Sequence, residues 1–143
     1  MADLRVGAEI PPFVRTTDAA NWNRYAAVND EFVGIHMDDE SGRAAGGTGA
    51  FGMGNMQWAY LHNMLRDWLD GRGRIVSASC RLRSMNTKGQ TVTAGGRITG
   101  IRVVGAQTLV DLDIWTQDVV ADRILAAGAA TVALDDPVDG AHD

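Results

Sequence analysis

The chain has 143 residues, enough for one domain with a hydrophobic core and too few for two ordinary domains. Hydrophobic residues make up 45% of it and charged residues 22%, which indicates a globular protein, and the net charge of −5 argues against binding nucleic acid. A single cysteine, Cys80, excludes an internal disulfide. There is no secretory signal and no apolar run of about 20 residues, so we expect a cytoplasmic protein that does not span a membrane.

The first 30 residues predict an extended segment followed by a short helix. Pro11 and Pro12 exclude a helix near the start, so residues 1–17 are expected to be extended. Asp18 is a suitable N-cap, and Trp22 and Tyr25 recur at helical spacing behind it. Residues 19–28 are therefore predicted to form an amphipathic helix.

The segment that follows, residues 25–40 (YAAVNDEFVGIHMDDE), carries the clearest candidates for chemistry. Asp30 and Glu31 precede His36, and the residues between them are apolar apart from one glycine. We expect a loop here that allows an acid and the imidazole to reach the same water. A carboxylate beside a neutral imidazole can move protons at neutral pH. An ordinary surface loop is the alternative interpretation.

A glycine-rich connector then leads into the longest helical pattern, which starts at Gly52 and stops at Gly71. Its apolar stripe comprises Met53, Met56, Tyr60, Leu61, Met64, Leu65 and Trp68. The pattern predicts one buried helix of about five turns. His62 lies within it, and we interpret it as structural or partner-facing rather than catalytic.

The rest of the chain alternates with a period of two, which predicts four antiparallel strands. The strands are expected at residues 74–83, 90–104, 107–117 and 123–134, with a bend or a bulge in the second at Gly95–Gly96 and a frayed tail over 135–143. The fold class is therefore α+β, a single domain over residues 1–143 with a curled antiparallel sheet wrapped round one long central helix. One helix cannot cover such a sheet, so we expect two copies to pair.

The order of elements and several motifs resemble the MaoC-like hydratases and dehydratases of the hotdog fold. The family carries a pattern close to Y-A-x-x-S-G-D-x-N-P-I-H-x-D. The positions that match without a gap are Tyr25, Ala26, Phe32, Ile35, His36 and Asp38. Phe51-Gly52-Met53 is similar to the family's H-G-M element, and residues 128–134 are similar to its closing strand, G-x-A-T-V-x-L. The resemblance covers nearly the whole chain.

The chain departs from the family pattern at several positions, among them Val33 and Gly34, which replace the usual Asn-Pro. The gapless match places Glu31 on the catalytic acid position, Asp30 on the preceding glycine, and Phe51 on the histidine of H-G-M. An acid displaced by about 1 Å can cost on the order of a hundredfold in rate. The sequence therefore leaves three possibilities: Glu31 serves as the acid, the loop bulges so that Asp30 does, or the site is impaired.

The resemblance implies reversible hydration of trans-2-enoyl thioesters, or dehydration of 3-hydroxyacyl thioesters, with Glu31 or Asp30 acting beside His36. Backbone N–H groups at the start of the long helix would stabilise the enolate oxygen, with Gly52 the first candidate and Gly54 the second. No metal and no cofactor are expected; coenzyme A or a carrier protein would carry the acyl group. The alternatives are a non-catalytic or half-site subunit pairing with another MaoC-like chain, and an acyl thioesterase. The acyl chain would follow the helix stripe or the seam between subunits, where Trp58, Trp68 and Trp115 are available, although core packing is the default for each.

Overall fold

The computed structural model describes residues 4–135, and five strands and four helices account for most of them. In chain order they are β1 (Phe13–Thr16), α1 (Ala19–Asn29), α2 (Gly34–Met37), α3 (Asp39–Ala44), α4 (Gly54–Leu69), β2 (Gly73–Leu82), β3 (Thr91–Val104), β4 (Gln107–Asp118) and β5 (Arg123–Leu134). The strands form one antiparallel sheet in the order β1-β3-β4-β5-β2. Most of the tail predicted to fray, residues 136–143, lies outside the described residues.

The sheet curls around α4, which contacts β1, β2, β3 and β4. All seven residues of the apolar stripe predicted for this helix are buried. They meet sheet residues that alternate inward, such as Val110, Leu112 and Ile114 on β4. Full burial of one such side chain is worth about 1.5–3 kcal/mol, so this contact between helix and sheet forms the core. The predicted α+β architecture, a curled sheet around one long helix, is confirmed.

Helix α1 begins and ends with residues that explain its length. The Asp18 carboxylate accepts the Asn21 N–H at 2.8 Å, an N-cap worth about 1 kcal/mol. Trp22 and Ala26 are fully buried and fix the helix on the core. The helix ends at Asp30, whose φ of 53° and ψ of 40° place it in the left-handed region.

Some local predictions were wrong. Residues 34–44 were expected to be loop and instead form the short helices α2 and α3, because Asp38 caps the second by accepting the Ser41 N–H. Strand β3 was expected to be bent or bulged at Gly95–Gly96, but its pairing with β4 is regular there and the irregularity falls between Ile98 and Gly100. Position 95 requires a glycine for a different reason, because a methyl group there would lie 2.7 Å from the Trp115 ring.

The long helix is shorter at both ends than predicted. It starts at Gly54, and it ends at Leu69 because Asp70 and Gly71 both take positive φ, 47° and 73°. Across residues 4–135, no helix is both long enough and apolar enough to cross a membrane.

Candidate active site

His36 is held in one orientation by the segment that leads into α4. Its Nδ1 lies 2.7 Å from the Phe51 carbonyl oxygen, and the Phe51 N–H donates to the Ile35 carbonyl at 3.2 Å. The two rings also meet edge to face, with centroids 5.4 Å apart. A carbonyl can only accept, so Nδ1 carries the proton. When the ring is neutral, Nε2 therefore has a free lone pair that can accept a proton.

The two candidate acids occupy different places at the end of α1. Asp30 is exposed and takes the left-handed position that usually belongs to glycine after a helix. The Glu31 N–H donates to the Ala26 carbonyl, five residues back, which completes a Schellman-type ending. Glu31 is half-buried. The pKa of Tyr25 is raised first by the burial of its own hydroxyl and then by the negative charge of Glu31. A Gly-Asp pair would favour this backbone conformation, and Asp30 stands where the glycine of such a pair would be.

The amino end of α4 offers a free backbone donor at only one of the two predicted glycines. The Gly52 N–H donates to the Asn86 carbonyl at 2.7 Å and is already occupied. Gly54 is the first residue of the helix, where N–H groups have no partner within the helix, and its N–H has no acceptor among the described residues. The order of preference is therefore reversed: Gly54 is the donor that remains available.

Gly52 has a steric function instead. A methyl group on it would lie 2.7 Å from Asn86 Oδ1 and 2.8 Å from Trp22 Nε1, both in fully buried side chains. The Asn86 amide nitrogen donates to Thr17 Oγ1 at 2.8 Å and to Gln90 Oε1 at 3.0 Å. The Gly52 N–H and the Phe51 carbonyl belong to one peptide unit, so the bond from Gly52 to the anchored Asn86 also fixes the carbonyl that orients His36.

A pocket of about 260 Å³ joins the imidazole to the amino end of the central helix. Its walls are His36, Phe51, Gly52, Gly54, Gln57, Leu82, Arg83, Ser84 and Met85. It adjoins a cavity of about 360 Å³ through shared walls at Gly54 and Leu82. That cavity adjoins a larger one, of about 820 Å³, through Asn55 and Trp58. Together they form a groove between α4 and the edge strand β2.

The structure brings together some of the predicted site residues and not others. His36, Gly52 and Gly54 line one pocket, whereas neither Asp30 nor Glu31 is part of its wall. Within residues 4–135, neither carboxylate makes a side-chain hydrogen bond or an ion pair.

Gln57 is the site residue that sequence reasoning missed. It is almost fully buried and lies in the pocket wall, one turn along the helix from Gly54. A single polar residue inside an otherwise apolar helix stripe was the available signal.

Other polar groups near the groove have local partners. His62 Nδ1 donates to the Trp58 carbonyl at 3.0 Å, and the two rings stack edge to face at 4.6 Å. Burial raises the pKa of the Cys80 thiol, which disfavours the thiolate. Trp58 lines the groove, while Trp68 is buried in the core.

The described part of the chain also contains no group of three or more His, Cys, Asp or Glu side chains placed to hold a metal ion.

Comparison with solved structures identifies the fold. The chain is similar to one chain of the ChsH1-ChsH2 complex from Mycobacterium tuberculosis, with 19% identity over 92% of this chain and 99% of that chain and a TM-score of 0.79. It is similar to the (R)-hydratase from A. caviae involved in PHA biosynthesis, with 21% identity over 94% of this chain and 99% of that chain and a TM-score of 0.77. It is also similar to the MaoC-like dehydratase from Rhodospirillum rubrum, with 16% identity, 92% of each chain covered and a TM-score of 0.78. No protein-family model and no curated protein matches the sequence.

These similarities define the class of fold. The chain has the hotdog fold of the MaoC-like dehydratases and (R)-hydratases, as its motifs predicted. At identities of 16–21% they establish the fold, and the chemistry has to be argued from the site itself.

Proposed function

We propose that the protein is a MaoC-like hydro-lyase that adds water to trans-2-enoyl thioesters and, in reverse, dehydrates 3-hydroxyacyl thioesters. The observation that carries this proposal is that His36 and Gly54 line one pocket, while neither the His36 Nε2 nor the Gly54 N–H has a hydrogen-bond partner among the described residues. Hydration needs a base for water and a donor for the thioester carbonyl, and these two groups supply both. The fold shared with named hydratases and dehydratases supports the same reaction class.

The steps balance with one water. His36 Nε2 accepts a proton from the water as its oxygen bonds to C3, and the double bond becomes an enolate whose charge rests on the thioester oxygen. The Gly54 N–H, at the positive end of the α4 dipole, stabilises that oxygen. The imidazolium then returns the proton to C2, so that the net change is the addition of water and neither metal nor cofactor takes part.

Glu31 is the acid that we assign to this reaction. In the proposal its carboxylate turns into the pocket, accepts the second hydrogen bond of the water and offsets the positive charge on His36. The end of helix α1 supports this assignment. The Asp30 and Glu31 N–H groups both donate to the Ala26 carbonyl, and this leaves no bulge that would move Asp30 into the position of Glu31. Asp30 instead provides the turn.

The substrate carrier and the assembly follow from the groove. An acyl thioester of coenzyme A or of a carrier protein would place its carbonyl at Gly54 and extend along α4. Strand β2 is an edge of the sheet, and Val76 and Leu82 on it are 46% and 51% exposed. We propose that a second copy covers this edge, because an open edge with apolar side chains favours pairing. A cytoplasmic location remains a prediction.

One observation favours a second candidate function. Neither acid lines the pocket, and one similar structure is a complex of two different chains. A half-site subunit that receives an acid from a different MaoC-like partner would fit both facts. In that case the purified chain would be inactive alone and gain activity with its partner.

The test is an assay of the purified protein with crotonyl-CoA and longer enoyl-CoAs, with thiol release followed as the control for thioesterase activity. Loss of the conjugated double bond without free thiol supports the hydratase. Thiol release without loss of the double bond would instead identify a thioesterase. A chain that is silent in both assays and binds a second hotdog chain would support the half-site subunit. Light scattering during gel filtration gives the number of copies.

A further inference from the structure

Gln57 is a buried polar side chain in the wall of the His36 pocket. It is 2% exposed and lies three residues after Gly54, so the two share one face of the helix at its amino end. Its neighbours on α4, Met56 and Tyr60, belong to the core. A buried carboxamide carries two N–H donors and one acceptor, and each needs a partner to offset its desolvation.

The contacts of Gln57 satisfy its oxygen better than its nitrogen. Oε1 accepts the Thr116 hydroxyl at 2.5 Å inside the core. Nε2 donates to the Ser84 carbonyl at 3.4 Å, beyond the usual range of about 2.7–3.2 Å. The amide is thereby oriented with its oxygen toward β4 and its nitrogen on the side of Ser84, another residue of the pocket wall. The second N–H of Nε2 has no acceptor among the described residues.

We propose that Gln57 Nε2 donates this hydrogen bond to the thioester carbonyl oxygen of the bound substrate, as a second donor beside the Gly54 N–H. The inference rests on the proposed function and adds a residue to it. A buried donor without an acceptor keeps the cost of its desolvation, and a ligand oxygen between the two groups would remove that cost. Thr116 is a positioning residue, because it holds the amide in the orientation that presents the nitrogen.

Two donors aimed at one oxygen stabilise the enolate more than the ground-state carbonyl, because the negative charge develops only as water adds. Removing one such donor lowers kcat by on the order of 10²–10³-fold in enzymes that use this device. KM should change by a few-fold at most, since uniform binding is hardly affected. Loss of a purely structural glutamine would instead lower stability and leave kcat per folded molecule unchanged.

The variant that tests this is Gln57→Leu, which keeps the approximate volume and removes the donor. Gln117→Leu is the matched control, because Gln117 bonds to Asp122 at the end of β4 and takes no part in the pocket. We expect a kcat loss of about 10²–10³-fold for Gln57→Leu, a smaller loss for Thr116→Val, and none for the control. A Gln57→Leu protein that is folded by circular dichroism and has wild-type kcat would overturn the proposal.

A second measurement does not depend on turnover or on a variant that folds. Side-chain amide signals of the wild-type protein are followed by NMR as butyryl-CoA, a saturated thioester that cannot be hydrated, is added. We expect the Gln57 amide and the Gly54 backbone amide to shift together, while the Gln117 amide stays in place. An unmoved Gln57 signal overturns the donor role, whether or not Gly54 moves. If the wild-type enzyme hydrates no enoyl thioester, the proposed function fails, but this titration still decides whether Gln57 contacts the thioester.

Discussion

The left-handed backbone at Asp30 gives a prediction that separates a structural residue from a catalytic one. Its φ is 53°, a region that costs an ordinary L-residue about 1–2 kcal/mol and costs glycine nothing comparable. Aspartate tolerates this region better than most residues, and glycine loses more entropy on folding. We therefore expect Asp30→Gly to raise the free energy of unfolding by about 0.5–1 kcal/mol, less than the full left-handed penalty.

Because 1 kcal/mol shifts Tm by about 3 °C for a chain of this size, the expected gain is about 1.5–3 °C. Urea and thermal unfolding measure it, with Asp70→Gly as the matched control, since Asp70 has the same geometry (φ 47°) at the end of α4. Hydration activity should be unchanged in both variants. A less stable Asp30→Gly protein would refute the backbone argument. A stable but inactive one would make Asp30 the working acid and refute the assignment of Glu31.

Three further predictions concern other parts of the fold. Gly52→Ala should destabilise the protein by about 1–3 kcal/mol in urea unfolding, because its methyl would overlap the buried Asn86 amide; wild-type stability would contradict this. Cys80 should react slowly with iodoacetamide at pH 8 in the folded protein and faster in urea, because burial raises its pKa above 9.0; equal rates by mass spectrometry would contradict this. Hydrogen bonds from the Lys88 ammonium and then from the Ala50 N–H lower the pKa of Asp39 below its usual value of 3.8. The ionised Asp39 carboxylate therefore stabilises the fold above pH 3.8, and this stabilisation is lost as the pH falls through the pKa of the folded state. Asp39→Asn should therefore be less stable at pH 7, with a smaller difference from wild type near pH 3; a constant difference would contradict the linkage.

The helix and strand periods were strong enough to predict most of the architecture. The stripe from Met53 to Trp68 and the four alternating runs each repeat over ten or more residues, and packing of the core enforces the same periods. The cap at Asp18 was also predictable, because its side chain acts on its own backbone. Such features depend on neighbours within a few positions along the chain.

The errors concern residues whose role depends on distant partners. Gly95 was interpreted as a bend, but it is small because Trp115 of the neighbouring strand lies against it. Gly52 was interpreted as a donor to substrate, but its N–H is taken by Asn86, 34 positions further along the chain. Neither contact leaves a local pattern in the sequence, so only the fold reveals it.

The candidate site follows the same division. His36 and Gly54 were found because a short motif and a helix start mark them, and the structure places both in one pocket. Gln57 was missed because the apolar stripe does not include it, and because its partner Thr116 lies on β4, 59 positions further along the chain. The position of the Glu31 side chain relative to that pocket depends on its rotamer, which no periodicity in the sequence encodes.

The central claim is that Glu31 and His36 together activate a water beside the Gly54 N–H. The most direct measurement is the rate of crotonyl-CoA hydration by the wild type, Glu31→Gln and His36→Ala, each shown to be folded. If the two side chains act together, the wild type is active and each variant loses about 10²–10⁴-fold in rate, the range that a general acid or base contributes. Full activity in either variant, together with an active wild type, would contradict the claim.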